Sequence, residues 1–152
     1  MCGISGIITN DYSHEELFEE TTLIRSSIAH RGPDNSGLWI DSKLGISMAH
    51  NRLSIIDLSE SGNQPMKSIS GRFIISFNGE IYNYLEIKNE LTQIGHKFKT
   101  TGDTEVLAHA LREWGIKKAL EKLEGMWAFA WFDNRKSEVF LSRDRFGEKP
   151  LY

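Results

Sequence analysis

Cys2 is the side chain of this sequence best placed to act as a nucleophile. It directly follows Met1, and a residue this small in second place permits removal of the initiator methionine, leaving a thiol and a free α-amine on one residue. An ordinary α-amine titrates near ~8, so roughly a third is neutral at about pH 7.5 and can take the thiol proton, directly or through one water. No histidine or aspartate partner is then required. The other reading of Cys2 is packing, because a free cysteine is often a small buried hydrophobe. Three further candidates have two readings each. Asn78-Gly79 is the commonest dipeptide of a simple turn, Arg52 suits a surface ion pair, and Asp103 suits the N-cap of a helix ahead of Thr104. The five histidines lie far apart without ligand spacing. The i,i+4 pairing of His109 with Glu113 reads as a helix-surface contact, and no metal site is expected.

The elements that must hold these residues follow from periodicity and punctuation. Gly3 to Thr9 carries Ile4, Ile7 and Ile8 between glycines and reads as a buried strand, which puts the Cys2 thiol at a strand end. Ser13 and Glu16 form a capping box that opens a helix to about His30, with Leu17, Phe18, Ile24 and Ile28 along one stripe. Leu38 to Ile40 and Leu44 to His50 read as strands, and Phe73 to Phe77 as another that Asn78-Gly79 closes. Asn83 with Glu86 is expected to cap a helix stopped at Gly95, and a second helix runs from Thr104 to Trp114 with Gly115 as its stop. Met126 to Phe132 and Glu138 to Ser142 form a hairpin around a polar loop. Trp127, Phe129 and Trp131 alternate with other apolar residues, so that strand belongs in a core covered on both faces. The chain reads as α+β, with more strands than helices.

Composition narrows the classes. With 152 residues, 39% hydrophobic and 26% charged, the chain suits one globular domain with its own core. A net charge of −3, with basic and acidic residues interspersed, leaves no footprint for nucleic acid. The N-terminal apolar stretch is too short for a secretory signal and lacks a basic lead, and no run approaches a membrane span, so the expected location is cytoplasmic. A single cysteine excludes an intramolecular disulfide.

Seven segments point further: MCGI at the start, HRGPDNSG (30–37), NRLSIIDLSESGNQPM (51–66), FNGEIYNY (77–84), TGDTEVL (101–107), LEGMWAFAWFD (123–133) and the closing SRDRFGEKPLY. Together they resemble the N-terminal glutaminase domain, a class II glutamine amidotransferase, of glutamine-hydrolysing asparagine synthetases, over essentially the whole chain. Phosphoribosyl-pyrophosphate and fructose-6-phosphate amidotransferases share the Cys start and an Asn-Gly pair, but differ at RLSIIDLS, NGEIYN and GDTEV. The resemblance implies an N-terminal-nucleophile hydrolase fold, with two antiparallel β-sheets sandwiched between helical layers. It implies that Cys2 is the nucleophile and that the Asn78 side-chain amide and the Gly79 N–H form the oxyanion hole. Arg52 would bind the α-carboxylate of glutamine, Glu80 and Asp103 its α-ammonium, and backbone groups of Leu53, Ser54, Ile55 and Ile56 would line the pocket.

The same resemblance implies several strands beyond Tyr152, so residues 1–152 are read as a truncated glutaminase domain. The ATP-dependent synthetase domain that would use the ammonia to amidate aspartate is read as absent from this chain, since no SGGLDS-type phosphate loop occurs in it. No cofactor is expected for the glutaminase domain itself, and ATP and Mg²⁺ only for the synthetase domain. The expected partners are glutamine as substrate and a synthetase domain of the same full-length chain, with a homodimer left open and neither nucleic acid nor membrane. Two alternatives stand beside this reading: an amidotransferase acting on another carboxylate, and a non-catalytic docking module that retains Met1.

Overall fold

The computed structural model describes residues 2–152, and Met1, whose removal the reading of Cys2 as a nucleophile requires, lies outside the described residues. The chain builds two antiparallel sheets. The first contains β1 (Gly3–Ile8), β2 (Asn35–Asp41) and β3 (Ile46–Arg52) in the order β1-β3-β2. The second contains β4 (Met66–Lys67), β5 (Phe73–Ile81), β6 (Gly125–Asp133) and β7 (Glu138–Arg143), in that order. α1 (His14–Ser27) covers the outer face of the first sheet, where Leu17 and Thr21 are fully buried. α2 (Tyr84–Gln93) and α3 (Asp103–Lys122) cover the outer face of the second. The layers are therefore helix, sheet, sheet, helix, as the resemblance implies. Among the described residues no helix is long and apolar enough to cross a membrane.

Alternation in β5 and β6 explains why both read as apolar on two faces. Phe73, Ile75 and Phe77 with Trp127, Phe129 and Trp131 point at α2 and α3 and join Ile87, Leu91, Val106 and Leu107 in the larger core. Ile74 and Phe132 point the other way and meet Ile46 and Met48 between the sheets. A strand buried on both faces cannot show a polar alternation. The aromatic run thus lies in the core, with Phe129 and Phe132 completely inaccessible.

Some local signals hold in the fold and others are overridden by tertiary contacts. The Ser13 capping box is present in both directions, Glu16 N–H donating to Ser13 Oγ and Ser13 N–H to Glu16 Oε2. The helix it opens ends at Ser27, and residues 29–31 form a short 3-10 turn. Asn78-Gly79 does not close β5. The strand continues to Ile81, with Asn78 opposite Ala128 and Gly79 opposite Trp127. Glycine is needed at 79 for a reason other than a turn: a Cβ there would lie 2.2 Å from the Met126 carbonyl oxygen. Asn83 precedes α2 but its side chain does not cap it. It bonds instead to Lys122 O at 2.9 Å and Glu124 N at 3.1 Å, fastening the end of α3. Gly115, with φ 74°, breaks the helix where expected, yet the chain turns back into helix as far as Lys122.

Candidate functional site

The antiparallel register of β1 on β3 places Gly3 opposite Asn51, which brings Cys2 alongside Arg52 and Leu53. Leu53 N–H points at Cys2 Sγ from 3.4 Å, and Leu53 O lies 3.6 Å from the same sulfur. The thiol is half-buried and lines a cavity of about 80 Å³, room for several waters or one small polar molecule. Cys2, Arg52, Leu53, Ser54, Ile55, Ile56, Asn78, Gly79, Glu80 and Asp103, the ten residues singled out from sequence, all line this cavity. They come from three places: the β1/β3 end, the loop after β3, and β5 with the start of α3.

The loop from 53 to 64 is held by buried Arg52. Its Nη1 donates to Ser59 O and Asn63 Oδ1, both at 2.7 Å, and its Nη2 donates to Asp57 O. No carboxylate among the described residues lies within ion-pair distance of Arg52, so the surface ion-pair reading does not apply. A guanidinium has five N–H donors, and these three bonds leave Nε–H and one Nη2–H for an incoming carboxylate. Ser54 N–H, on the same loop, donates to Asp34 Oδ2 at 2.7 Å.

The opposite wall carries negative charge. Asp103 begins α3 and is 6% exposed, its Oδ2 accepting Ile81 N–H at 3.0 Å. Gly102 takes the N-cap position that sequence offered to Asp103. Burial pushes the Asp103 carboxyl up to about 6, with the nearby Glu80 charge adding to the rise and the Ile81 N–H opposing it. Glu80 itself is exposed. A buried carboxylate and an exposed one on the same wall suit an ammonium group, whose charge would offset the cost of ionising Asp103.

Between these walls lies β5. Asn78 is 5% exposed, its Oδ1 buried without a hydrogen-bond partner among the described residues. Backbone N–H groups of successive residues in a strand point to opposite edges, so those of residues two apart share an edge. Phe77 N–H and Ile81 N–H both bond to side chains on the edge away from β6, so Gly79 N–H points to that edge too.

Several lining residues were missed from sequence. Asp57 accepts Ser59 N–H at 2.8 Å, Ser59 Oγ–H at 2.6 Å and Thr101 N–H at 2.9 Å, and the Ser59 hydroxyl above all lowers its carboxyl to about 2. Gln64 Oε1 accepts Phe77 N–H at 2.7 Å while its Nε2 donates to Thr104 Oγ1 at 3.3 Å. Both fall inside the segment NRLSIIDLSESGNQPM already singled out, but apart from the Asp57–Ser59 turn their bonds reach Thr101, β5 and α3 and leave no local signal. Away from the cavity, His109 meets His96 (Nδ1 to Nδ1, 2.8 Å), and His96 Nε2 meets Glu113 at 3.0 Å. The expected His109–Glu113 contact is thus replaced by one through His96.

A family model described as glutamine amidotransferase domain matches residues 1–152. The chain is 44% identical over 154 residues to glutamine-hydrolyzing asparagine synthetase 2 of Bacillus subtilis, covering 100% of this chain and 20% of that protein. It is 40% identical over 168 residues to a putative glutamine-hydrolyzing asparagine synthetase 2 of Methanocaldococcus jannaschii, covering 100% of this chain and 32% of that protein. The chain therefore spans between a fifth and a third of the length of these two relatives. Among solved structures it is similar to glutamine phosphoribosylpyrophosphate amidotransferase from B. subtilis, at TM-score 0.76 and 22% identity, covering 95% of this chain and 37% of that one. At that identity the likeness is one of fold.

Proposed function

The chain belongs to the glutamine amidotransferase domain family, and on that premise we propose that it hydrolyses glutamine to glutamate and ammonia through a thioester on Cys2. The Cys2 amine, freed by removal of Met1, takes the thiol proton, and the thiolate attacks the side-chain amide carbon of glutamine. The carbonyl π pair moves onto oxygen, which accepts hydrogen bonds from the Asn78 side-chain amide and Gly79 N–H. Collapse expels ammonia, which takes its proton from the Cys2 ammonium. Water, deprotonated by the same amine, then attacks the γ-glutamyl thioester and releases glutamate. Arg52 holds the α-carboxylate of glutamine through its two remaining donors, and Asp103 with Glu80 holds the α-ammonium.

The observation that supports this reading is convergence. A thiol, a guanidinium with free donors, two carboxylates and an open strand edge with an unpaired N–H line one small cavity, although they are drawn from distant parts of the chain. These are the groups an α-amino acid with a side-chain amide would engage. We further propose, from relatives three to five times the matched length, that the ammonia passes to an ATP-dependent synthetase domain of the same full-length protein and amidates aspartate there. ATP and Mg²⁺ enter only in that second domain.

The test is glutamate release from glutamine by protein whose intact mass lacks Met1. Cys2→Ala should abolish release, and 6-diazo-5-oxonorleucine should label the wild type on Cys2. Continued turnover in Cys2→Ala, or an adduct mapped to another residue, would overturn the assignment.

A further inference from the structure

β5 has an open edge at the site. On that side β4 pairs only with Ile74 and Ile75, so among the described residues the polar backbone groups beyond Ile75 that point away from β6 have no strand to bond. Side chains take the strand's place. Phe77 N–H donates to Gln64 Oε1 at 2.7 Å, Phe77 O accepts from His50 Nε2 at 3.1 Å, and Ile81 N–H donates to Asp103 Oδ2 at 3.0 Å. Gly79 lies between these fastened residues. An edge gripped on both sides of Gly79 has its remaining N–H aimed by its neighbours.

His50 is the more informative grip. It is 1% exposed on β3, two residues before Arg52, yet its ring reaches across to the other sheet. A carbonyl oxygen only accepts, so Nε2 carries the proton, and Nδ1 is left buried without a partner among the described residues. Burial lowers the ring to about 4, which keeps it neutral and in this tautomer across the working range. The peptide unit whose oxygen it holds is the one whose nitrogen belongs to Asn78. His50 therefore ties the strand beside Cys2 to the residue that supplies the oxyanion donor. Gln64 fastens the preceding peptide, and its other end reaches Thr104 at the start of α3.

We propose that His50 and Gln64 are positioning residues for the oxyanion hole, holding the two peptide units around Phe77 so that Asn78 and Gly79 stay in register with the Cys2 thiol. This rests on the glutaminase reading above. Neither side chain touches the reacting atoms. Their effect falls on the transition state, because a displaced donor is felt most where negative charge has developed on oxygen.

The test compares wild type with His50→Phe, His50→Gln and Gln64→Met in the full chain. Thermal melts establish that each is folded. Loss of a grip is expected to lower kcat for glutamine roughly 10- to 100-fold, with KM within about threefold. Glutamate γ-semialdehyde adds the Cys2 thiol to its carbonyl carbon, moving the π pair onto an oxygen that occupies the same hole. Its affinity should fall by the factor lost in kcat, while that of L-glutamate, a ground-state ligand, stays unchanged. His50→Gln, which keeps an N–H at similar reach, should recover most of the loss in His50→Phe. If His50→Phe does not fold, Gln64→Met and His50→Gln carry the comparison. A folded His50→Phe or Gln64→Met that keeps both kcat and aldehyde affinity, or that raises KM alone, overturns the inference. A wild type that neither turns over glutamine nor binds the aldehyde overturns the glutaminase reading instead.

Discussion

Asp103 has to be charged for the task proposed for it, and its surroundings make that charge costly. The carboxyl is buried beside Glu80 and titrates near 6, helped toward the ionised form only by neighbouring backbone N–H groups. An ammonium arriving from glutamine offsets the cost, so bound substrate and ionised Asp103 favour each other. The Cys2 amine adds a second condition, since it acts as a base only when neutral and an ordinary α-amine titrates near ~8. These two requirements predict a particular pH profile. Plotted as log kcat/KM, the rate should fall with slope one as pH drops below about 8, and with slope two below about 6. Asp103→Asn should lower kcat/KM throughout and leave slope one to the acid end. A wild-type profile that passes through pH 6 without a change of slope would exclude Asp103 as the ammonium partner.

Elements determine whether these residues meet, and the loop from 53 to 64 is held by bonds that cross the fold. Arg52 takes three of its oxygens, and Asp57 ties it to the turn at Thr101 that leads into Asp103. Asp57 thereby links the wall proposed to bind the carboxylate to the wall proposed to bind the ammonium. Asp57→Ala releases Ser59 and Thr101 together, and the expected result is a KM for glutamine raised roughly tenfold with kcat within about threefold, read from steady-state kinetics. A fall in kcat at constant KM would mean that the loop serves the chemical step. The resemblance made ten of the lining residues legible and left Asp57, Gln64 and the fastenings of the site hidden. Cys2 at a strand end and the two-faced core strands follow from local pattern, whereas the β1/β3 pairing joins distant segments and does not. The course of β5 through Asn78-Gly79 does not, because the glycine answers a close approach to Met126 O, 73–81 and 125–133 being paired over their whole length. Asn83 fails as a cap for a related reason: its amide has partners at the end of α3, about forty residues away, that no local window contains.

At the scale of the whole molecule, the layers bury two titratable groups whose effects on stability have opposite signs. Asp103 has a raised carboxyl, so the folded state binds its proton more tightly than the unfolded chain does. Stability from this group is therefore lost as pH rises from about 4 to about 6, by roughly 3 kcal/mol at most. His50, between the sheets, has a lowered ring, so the unfolded chain is the better proton acceptor. Its contribution is present above about 6.5 and is lost as pH falls toward about 4, again by roughly 3 kcal/mol at most. Over that window the two contributions oppose each other. Asp103→Asn removes one side of the balance while its side-chain oxygen can still accept Ile81 N–H. The variant should melt higher than wild type at pH 7.5, lose that advantage by about pH 4, and decline steadily between, as calorimetry at several pH values would record. It should also bind glutamine poorly. A variant more stable at neutral pH yet impaired in binding would mark Asp103 as a charge kept buried for its ligand, whereas equal or lower stability at pH 7.5 would show that the carboxylate holds the fold together instead.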